Sequence, residues 1–580
     1  MHPHSLFHPE AKRTAAQSAV LPLAALLLTG AVAHAQSVPD AGSLQRETER
    51  SLQAPHLAPA PQAAPATRPM AADAKAVRVT VQRIAIEGAT LIPTAELEAL
   101  VASQLGQSLT LAELEHAAQT LAEHYRQRGW YARVYLPQQD VTGGTVRIQV
   151  LEGRYSGSSV QHSGERADAA AVQATVTQRL QPGQPLSSAD LERGLLIAND
   201  LPGIAASGTL QAGQAQGDTA LVVSVQDTAF ITGDAGLSNH GIKSTGRVQA
   251  SGGLALNNMN GSGDQLALRL LAAQDIRSAL VRYSLPLGRS GLRLAAHAST
   301  LDYQLGGSYK ALDAEGKAHT GGLSLSYPLI RQAERNLSLS AGYEHRRYDD
   351  DMQSLALRRH RINALTLGIS GDLRDSLGGG GISWGGVSLA SGRLNLNGIA
   401  SDAAQDAVTA KTQGSYTKLA WNLARVQSLG ALGPGWQVQA SASGQFASGN
   451  LASSERMTLG GPSQVRAYPV NEASGDQGLL LKLELQKELG QGWQAVAFYD
   501  AGHIRQHKNT WAGWSPNGQP NRYSLQGAGL GVNWRTQNWQ LAASIAAPIG
   551  SNRGEDAQGR NNDGSKASSV RGWLSLTRLF

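Results

Sequence analysis

The chain has 580 residues, too many for one small domain and typical of two or three folded units. It contains no cysteine, which excludes disulfides, cysteine nucleophiles and cysteine-ligated metals. The formal net charge of +6 is modest and the basic residues are scattered, which argues against nucleic-acid binding. Only 41% of the residues are hydrophobic and the mean hydropathy is −0.25, yet a membrane β-barrel gives the same average because its apolar residues alternate with polar ones.

The N-terminus carries the pattern of an export signal. Lys12 and Arg13 precede an apolar run from Val20 to Ala33, and Ala33-His34-Ala35 is a small-x-small cleavage site. A transmembrane anchor is the alternative, but the run is too short to span a bilayer. We therefore predict a signal peptide over residues 1–35.

Residues 36–76 are predicted to form a helix region and a linker. Asp40–Gln53, within the region 36–54, can form a short and mostly polar helix. The segment 55–76 has five prolines among alanines, which is typical of an extended linker. From the residues alone, the four charges at Arg46, Glu47, Glu49 and Arg50 could simply solvate a helix in the linker.

Residues 77–153 and 154–228 are predicted to form two similar small α+β modules. The first has the order β-α-α-β-β, with a helix that starts at the capping box Thr110/Glu113. The second repeats this plan, with helices from Asp168 and from Ser188 to Asn199.

The segment 229–580 predicts a membrane β-barrel of about 16 antiparallel strands. Stretches such as Trp436–Ser443 and Trp539–Ile545 alternate apolar and small polar residues, so each strand has one apolar and one polar face. Long connections follow the later odd-numbered strands and short turns follow the even-numbered ones. An even strand count then places both chain ends, and therefore both modules, on the periplasmic side.

Two motifs fall at informative places in this barrel. The longest loop, about 449–476, contains Val465-Arg466-Ala467-Tyr468, and the strand two further on contains Phe498-Tyr499-Asp500-Ala501-Gly502. Strand parity points Phe498, Asp500 and Gly502 into the lumen, together with Lys482, Glu484 and Gln486 of the preceding strand. A lumenal carboxylate needs a partner, and an arginine in a loop that folds inward supplies a bidentate one.

The chain resembles the two-partner-secretion (TpsB-type) transporters, the hemolysin activation/secretion family of the POTRA-barrel superfamily. Gly129–Pro137 and Gly144–Gly153 resemble the end of that family's first POTRA domain, and Leu191–Gly203 resembles a helix and turn of the second. Val465-Arg466-Ala467-Tyr468 is similar to its VRGY-type loop motif, with alanine in place of the commoner glycine. Phe498-x-Asp500-x-Gly502 is similar to its strand motif.

The resemblance implies two periplasmic POTRA domains, at 77–153 and 154–228, before the barrel. It implies that Arg466 reaches Asp500 and that residues 40–53 plug the resting pore. The motif residues expected to form this gating contact are Val465, Arg466, Tyr468, Phe498, Asp500 and Gly502. The function that the resemblance implies is export of an unfolded exoprotein without ATP, with or without activation of that exoprotein.

Phe580 ends an outward stripe, Leu574-x-Leu576-x-Arg578-x-Phe580, which resembles the signal read by the barrel-assembly machinery. An ordinary last strand has the same pattern. The expected partners are a secreted exoprotein, outer-membrane lipid and that machinery, and no nucleic acid.

Other functions remain as alternatives. An insertase of the same superfamily is the first, a passive porin the second, and a soluble β-type adhesin the third. No catalytic constellation, cofactor motif or metal-ligand spacing is evident, so we expect a protein that is not an enzyme and needs no cofactor. The cargo could be an adhesin, a cytolysin, a haem-binding protein or a contact-dependent toxin.

Overall fold

The computed structural model describes residues 38–52, 78–215, 217–515 and 518–580. The predicted signal peptide (1–35) and the linker (55–76) lie outside these residues. No helix in the described ranges is long and apolar enough to cross a membrane.

The first described element is helix α1 (Ala41–Leu52), which lies inside the barrel and not beside the modules. Its sequence is mostly polar, and its buried residues include Gln45, Glu47 and Thr48 as well as Leu44. A polar helix remains stable there because the barrel interior also presents polar groups that satisfy it.

Module 1 consists of a three-stranded sheet covered by two helices. Strand β2 pairs in parallel with β5, which pairs antiparallel with β4, while β1 and β3 form a separate two-stranded sheet. The capping box at Thr110 and Glu113 starts α3, and the buried face of α3 packs on β5. The elements are β1 (Arg78–Thr80), β2 (Arg83–Glu87), α2 (Thr94–Val101), β3 (Ser108–Thr110), α3 (Leu111–Gln127), β4 (Ala132–Tyr135) and β5 (Thr145–Glu152).

Module 2 repeats the same sheet order. Strand β6 pairs in parallel with β8, and β7 pairs antiparallel with β8. Asp168 caps α4 through its side chain, and Ser187 caps α5 in the same way. The elements are β6 (Arg154–Ser163), α4 (Ala169–Val176), α5 (Ser188–Asn199), β7 (Ile204–Ala212) and β8 (Asp218–Asp227).

The remainder is a closed barrel of sixteen antiparallel strands, β9 to β24, in which β24 pairs with β9. This confirms the predicted fold class. The strands are β9 (Ile231–Ser238), β10 (Gln249–Asn257), β11 (Gln265–Ala272), β12 (Ile276–Pro286), β13 (Arg293–Gln304), β14 (Ala314–Arg331), β15 (Arg335–Met352), β16 (Leu355–Asp375), β17 (Gly381–Asn395), β18 (Gly414–Ser428), β19 (Trp436–Ala447), β20 (Gln477–Gly490), β21 (Trp493–Arg505), β22 (Arg522–Arg535), β23 (Trp539–Pro548) and β24 (Arg571–Leu579).

The side chains of these strands alternate as the sequence predicts. On β20, Leu481 and Leu483 are about half exposed on the outer surface (47% and 50%), whereas Gln486 is buried inside. On β21, Tyr499 faces out and Asp500 is fully buried. The barrel therefore has an apolar outer wall and a polar interior, which is the arrangement that a lipid bilayer requires.

Four central strands are longer at one end than their alternation predicts. The pattern gives strands over 318–330, 335–348, 358–373 and 380–391, whereas β14, β15, β16 and β17 extend three or four residues further at the end of the barrel away from the modules. In these extensions outward side chains of β14 and β17 are charged, as at Lys317 and Arg393, so the apolar alternation stops before the hydrogen-bonded ladder does. The connection after β17 also contains a short helix, α6 (Ala400–Val408), which the sequence analysis did not predict.

Module 2 is fixed to the barrel by charged and main-chain contacts. Arg331 at the end of β14 makes a bidentate contact with Asp200, with N–O distances of 2.8 and 2.7 Å. Arg193 of α5 donates to the carbonyl of Pro328 at 2.6 Å. Burial opposes ionisation of Asp227, the last residue of β8, but main-chain N–H donors of Glu165 to Ala167 hold its pKa well below the usual range. The anionic carboxylate thus ties the segment before α4 to the end of β8, within module 2 and next to the point where the chain enters the barrel.

Candidate functional site in the barrel lumen

The loop between β19 and β20, residues 448–476, folds into the barrel and is called the inner loop here. Its motif residues Val465, Arg466 and Tyr468 are all buried. A parallel bridge between Gly460 and Val465, with an N–O distance of 2.8 Å from Val465 to Leu459, gives the loop a compact tip. The tip therefore reaches the wall as a folded unit.

Arg466 at this tip makes a bidentate ion pair with Asp500 of β21. Its Nε and Nη2 donate to the two carboxylate oxygens at 2.8 and 2.7 Å, and its main-chain N–H donates at 3.1 Å. Asp500 is completely buried and Arg466 is 8% exposed. The structure thus places the two residues in the contact that the family resemblance implies.

Glu484 and Phe498 complete the surroundings of the guanidinium. The third nitrogen, Nη1, lies 2.8 Å from Oε1 of Glu484 on β20. The guanidinium carbon lies 3.4 Å from the ring centroid of Phe498, which is a cation–π contact. Lys482, on the same face of β20, donates to the carbonyl of Ser463 in the loop at 3.2 Å. Two cations therefore face two carboxylates in a closed environment.

Two glycines in the wall make room for the loop. A Cβ on Gly502 would lie 2.7 Å from Cδ2 of Leu459, and a Cβ on Gly527 would lie 2.5 Å from the Cβ of Ala467. Both are too short for ordinary contacts, so the loop packs directly on the backbone of β21 and β22. Gly527 also explains how this chain accepts alanine where the family motif commonly has glycine.

This packing predicts a reciprocal pair of variants. We expect Gly527→Ala to weaken docking of the inner loop by about 1–3 kcal/mol, because the added methyl overlaps that of Ala467. Ala467→Gly in the same chain should restore docking. Protease cleavage of the inner loop in intact cells measures docking.

The matched control for this pair is Gly252→Ala, whose new Cβ would have its nearest neighbour at 3.7 Å. Equal protease resistance of Gly527→Ala and the control would contradict the packing argument.

Strand β24 and the last outer loop also hold the inner loop in place. Trp573 of β24 donates its Nε1–H to the carbonyl of Arg466 at 2.7 Å. Glu472, which is buried, accepts from the side chain of Asn552 at 2.8 Å and from the main chain of Asn562 at 2.9 Å. Both asparagines belong to the last outer loop, residues 549–570, so two loops close over the lumen together.

Helix α1 occupies the rest of the lumen and contacts the inner loop. Arg46 donates to the carbonyls of Ser453 and Arg456 at 2.5 and 2.7 Å, and Arg50 donates to Thr458 at 3.1 Å. These contacts make the helix and the loop neighbours in one assembly.

The helix also contacts the wall, again through polar groups. The main-chain N–H of Ala41 donates to Asp350 at 2.8 Å, and Gln45 donates to Ser299 at 3.0 Å. Arg269 donates to the carbonyl of Leu52 at 2.9 Å at the other end of the helix. Residues 41–52 therefore lie across the pore at the place where the resemblance implies a plug.

Of the predicted site residues, the structure brings Val465, Arg466, Tyr468, Phe498, Asp500 and Gly502 together at the tip of the inner loop. Their gating role stays a prediction. Phe580 lies apart, exposed at the periplasmic end of the wall, with its main chain bonded to Gly233.

Sequence reasoning missed Glu484 as a partner of Arg466 and missed Trp573. It placed Gly527 among the small inward residues of its strand but did not connect it with the inner loop. Parity alone places Glu484 on the lumenal face, so that signal was available. The described residues contain no group of three or more histidines, aspartates or glutamates able to hold a metal ion. The chemistry of the site is ion pairing and hydrogen bonding that hold two segments inside a pore.

A closed sixteen-stranded barrel with two modules at one end and its own chain in the lumen defines an outer-membrane transporter with periplasmic POTRA domains. Residues 79–153 match the model of the ShlB-type POTRA domain, and residues 217–534 match that of the haemolysin secretion/activation protein family ShlB/FhaC/HecB. The chain belongs to this family.

Known proteins are similar over most of the chain. The heme/hemopexin transporter protein HuxB of Haemophilus influenzae strain 86-028NP is 28% identical, over 93% of this chain and 95% of that protein. The outer membrane transporter CdiB of Escherichia coli strain 536 is 26% identical over 81% and 78%, respectively. The solved structure of CdiB from Escherichia coli covers 94% of this chain and all of that chain, with a TM-score of 0.66 at 21% identity, which shows the shared fold.

Proposed function

We propose that this chain exports a large, unfolded exoprotein from the periplasm to the cell surface through its barrel, and that it is not an enzyme. The observation that carries the proposal is the filling of the lumen by α1 and the inner loop, two segments of the same chain. A passive porin has no use for such segments or for two periplasmic modules. A soluble adhesin would not have an apolar outer wall.

The contacts of α1 suit a segment that leaves the pore and returns. Its partners are mainly polar, as with Gln45 on Ser299 and Arg46 on loop carbonyls. Exchanging such hydrogen bonds for bonds to water changes the free energy by only about 0.5–1.5 kcal/mol each. An exoprotein that binds the open form better than the closed form therefore shifts the equilibrium toward opening.

Module 2 supports the capture of an extended cargo segment. In the described residues β7 pairs with no strand other than β8. On its other edge the side chain of Asn199 bonds both main-chain groups of Ala206, and the edge beyond, from Gly208 to Ala212, is open to a cargo strand. A cavity of about 640 Å³ between this module and the barrel is lined by Val172 and Leu201 on one side and by Ser338 and Asp372 of the lumenal face on the other. Cargo bound at the module is thus adjacent to the entrance of the barrel.

Export in this proposal uses no nucleotide. The periplasm lacks ATP, and the sequence has no phosphate-binding loop. Transport runs outward because the cargo binds to the modules in the periplasm and folds outside the cell.

Co-expression with a large secreted exoprotein from the same genome tests the proposal. We expect that exoprotein to appear in the medium only when the transporter is present. An insertase, the alternative function, would instead lower the amount of several unrelated barrel proteins in the outer membrane when it is deleted. That result without any loss of a secreted protein would refute export.

We further propose that the barrel-assembly machinery recognises the terminal stripe. Leu574 and Phe580 are 51% and 57% exposed on the outer wall. Removal of Phe580 should lower the amount of assembled protein in the outer membrane several-fold, measured by heat-modifiable migration in gels. Phe230→Ala, which removes another exposed phenylalanine before β9, is the control. An unchanged yield without Phe580 would contradict this role.

A further inference from the structure

A small cavity at the outer end of the barrel is lined by four cationic side chains. It has a volume of about 230 Å³ and lies where the first outer loop (residues 239–248), the inner loop and the last outer loop meet. Its cations are Lys243, Arg247, Lys566 and Arg571, and its lining includes one carboxylate, that of Asp563.

Ion pairing does not explain why these cations converge, although the guanidinium of Arg571 lies 5.8 Å from the ring centroid of Trp573. Within the described ranges none of the four forms an ion pair with a carboxylate within 4.0 Å. Asp563 instead accepts from the main-chain N–H of Ser565 at 2.9 Å. The Nε of Arg571 is buried and has no hydrogen-bond partner. Four positive charges around one small cavity repel each other, and a buried unpaired N–H is costly.

We propose that this cavity binds the phosphate group of an anionic ligand at the cell surface. A phosphate carries up to two negative charges and three acceptor oxygens, so it satisfies several cations at once, and guanidinium and ammonium groups are its usual partners. The cavity is smaller than the roughly 300–1,000 Å³ of drug-sized ligand sites, which suits one phosphate group.

Two sources present this chemistry at the outer face of the membrane. One is the phosphorylated glycolipid of the outer leaflet, and the other is soluble phosphate. Lys243, Arg247 and Lys566 are exposed, so the cavity is accessible from outside, and basic clusters at a membrane surface attract anionic lipid headgroups. The site also contacts Pro469 and Val470, three and four residues after Arg466, so a bound phosphate adds a contact between the outer loops and the inner loop.

Titration of the purified full-length chain with inorganic phosphate, followed by ³¹P NMR, tests the site. We expect saturable binding that becomes about tenfold weaker or more in Arg571→Gln and in the double variant Lys243→Gln/Lys566→Gln. The matched control is Lys411→Gln, an exposed outer-loop lysine that does not line the cavity. Heat-modifiable migration shows whether each variant is folded, and the double variant lies in loops and so leaves the barrel wall intact.

Nanodiscs distinguish the two sources. Bisphosphorylated lipid A competes with added inorganic phosphate if its own phosphate occupies the cavity. Weaker binding of inorganic phosphate in phosphatidylcholine discs with bisphosphorylated lipid A than in discs with dephosphorylated lipid A would therefore identify the glycolipid as the source. Equal binding in both upholds a site for soluble phosphate. Absence of saturable binding, affinity that both variants leave unchanged, or binding of a polyglutamate peptide in place of phosphate would overturn the proposal.

Discussion

Arg466→Ala is expected to abolish export while the barrel still assembles. Removing the guanidinium leaves the buried Asp500 without its charged partner, although the main-chain N–H of residue 466 still donates to it, and leaves Glu484 without its ion pair. Breaking one side of a buried pair costs about 3–5 kcal/mol, enough to release the tip of the inner loop from the wall. The measurement is the amount of exoprotein in the medium, together with heat-modifiable migration of the barrel.

Two further variants separate charge from geometry at this position. Arg466→Lys keeps the charge but cannot make the bidentate contact, so it should retain part of the export. Asp500→Asn combined with Arg466→Ala should be less harmful than the sum of the single changes, because the buried charge is then absent. If the Arg466→Ala variant exports as much as the unchanged chain, the inner loop has no role in gating.

Deletion of residues 40–53 is expected to raise conductance in planar bilayers several-fold. Helix α1 lies across the lumen, and its departure leaves a polar channel inside a sixteen-stranded wall. The same deletion should increase the frequency of open events, since the inner loop loses its contacts with Arg46 and Arg50.

Point changes refine this second test. Arg46→Ala with Arg50→Ala should give a smaller increase, because the helix remains but is held less firmly. Arg126→Ala, on the exposed surface of module 1, removes an arginine without touching the lumen and should change nothing. Conductance that is unaffected by the deletion would show that α1 does not close the pore.

The barrel could be predicted from sequence because its signal is local. Successive side chains of a strand point to opposite faces of the sheet. Counting along each strand therefore places Glu484 and Asp500 inside the barrel and Leu483 outside. The sequence signal for the helices of the modules is also local, because Thr110 with Glu113 caps α3 and Asp168 caps α4.

The contents of the lumen could not be predicted in the same way. The position of α1 depends on partners such as Ser299 and Asp350, which are hundreds of residues away. The contact of Trp573 with the carbonyl of Arg466 depends on how β24 closes against β9, and no sequence pattern encodes it. Before the structure, parity offered the loop arginine as a partner for the lumenal Asp500, and the family resemblance made that pairing specific.

The central claim is that export requires α1 to leave the lumen, and a reversible cross-link tests it directly. The chain has no cysteine, so Gln45→Cys and Ser299→Cys introduce the only thiols, at side chains that are now 3.0 Å apart. A short reducible bis-methanethiosulfonate then joins the helix to the wall. The account predicts that the cross-linked transporter releases no exoprotein into the medium and that reduction restores release, while Gln45→Cys alone is unaffected by the reagent. Export that continues with the cross-link intact would contradict it.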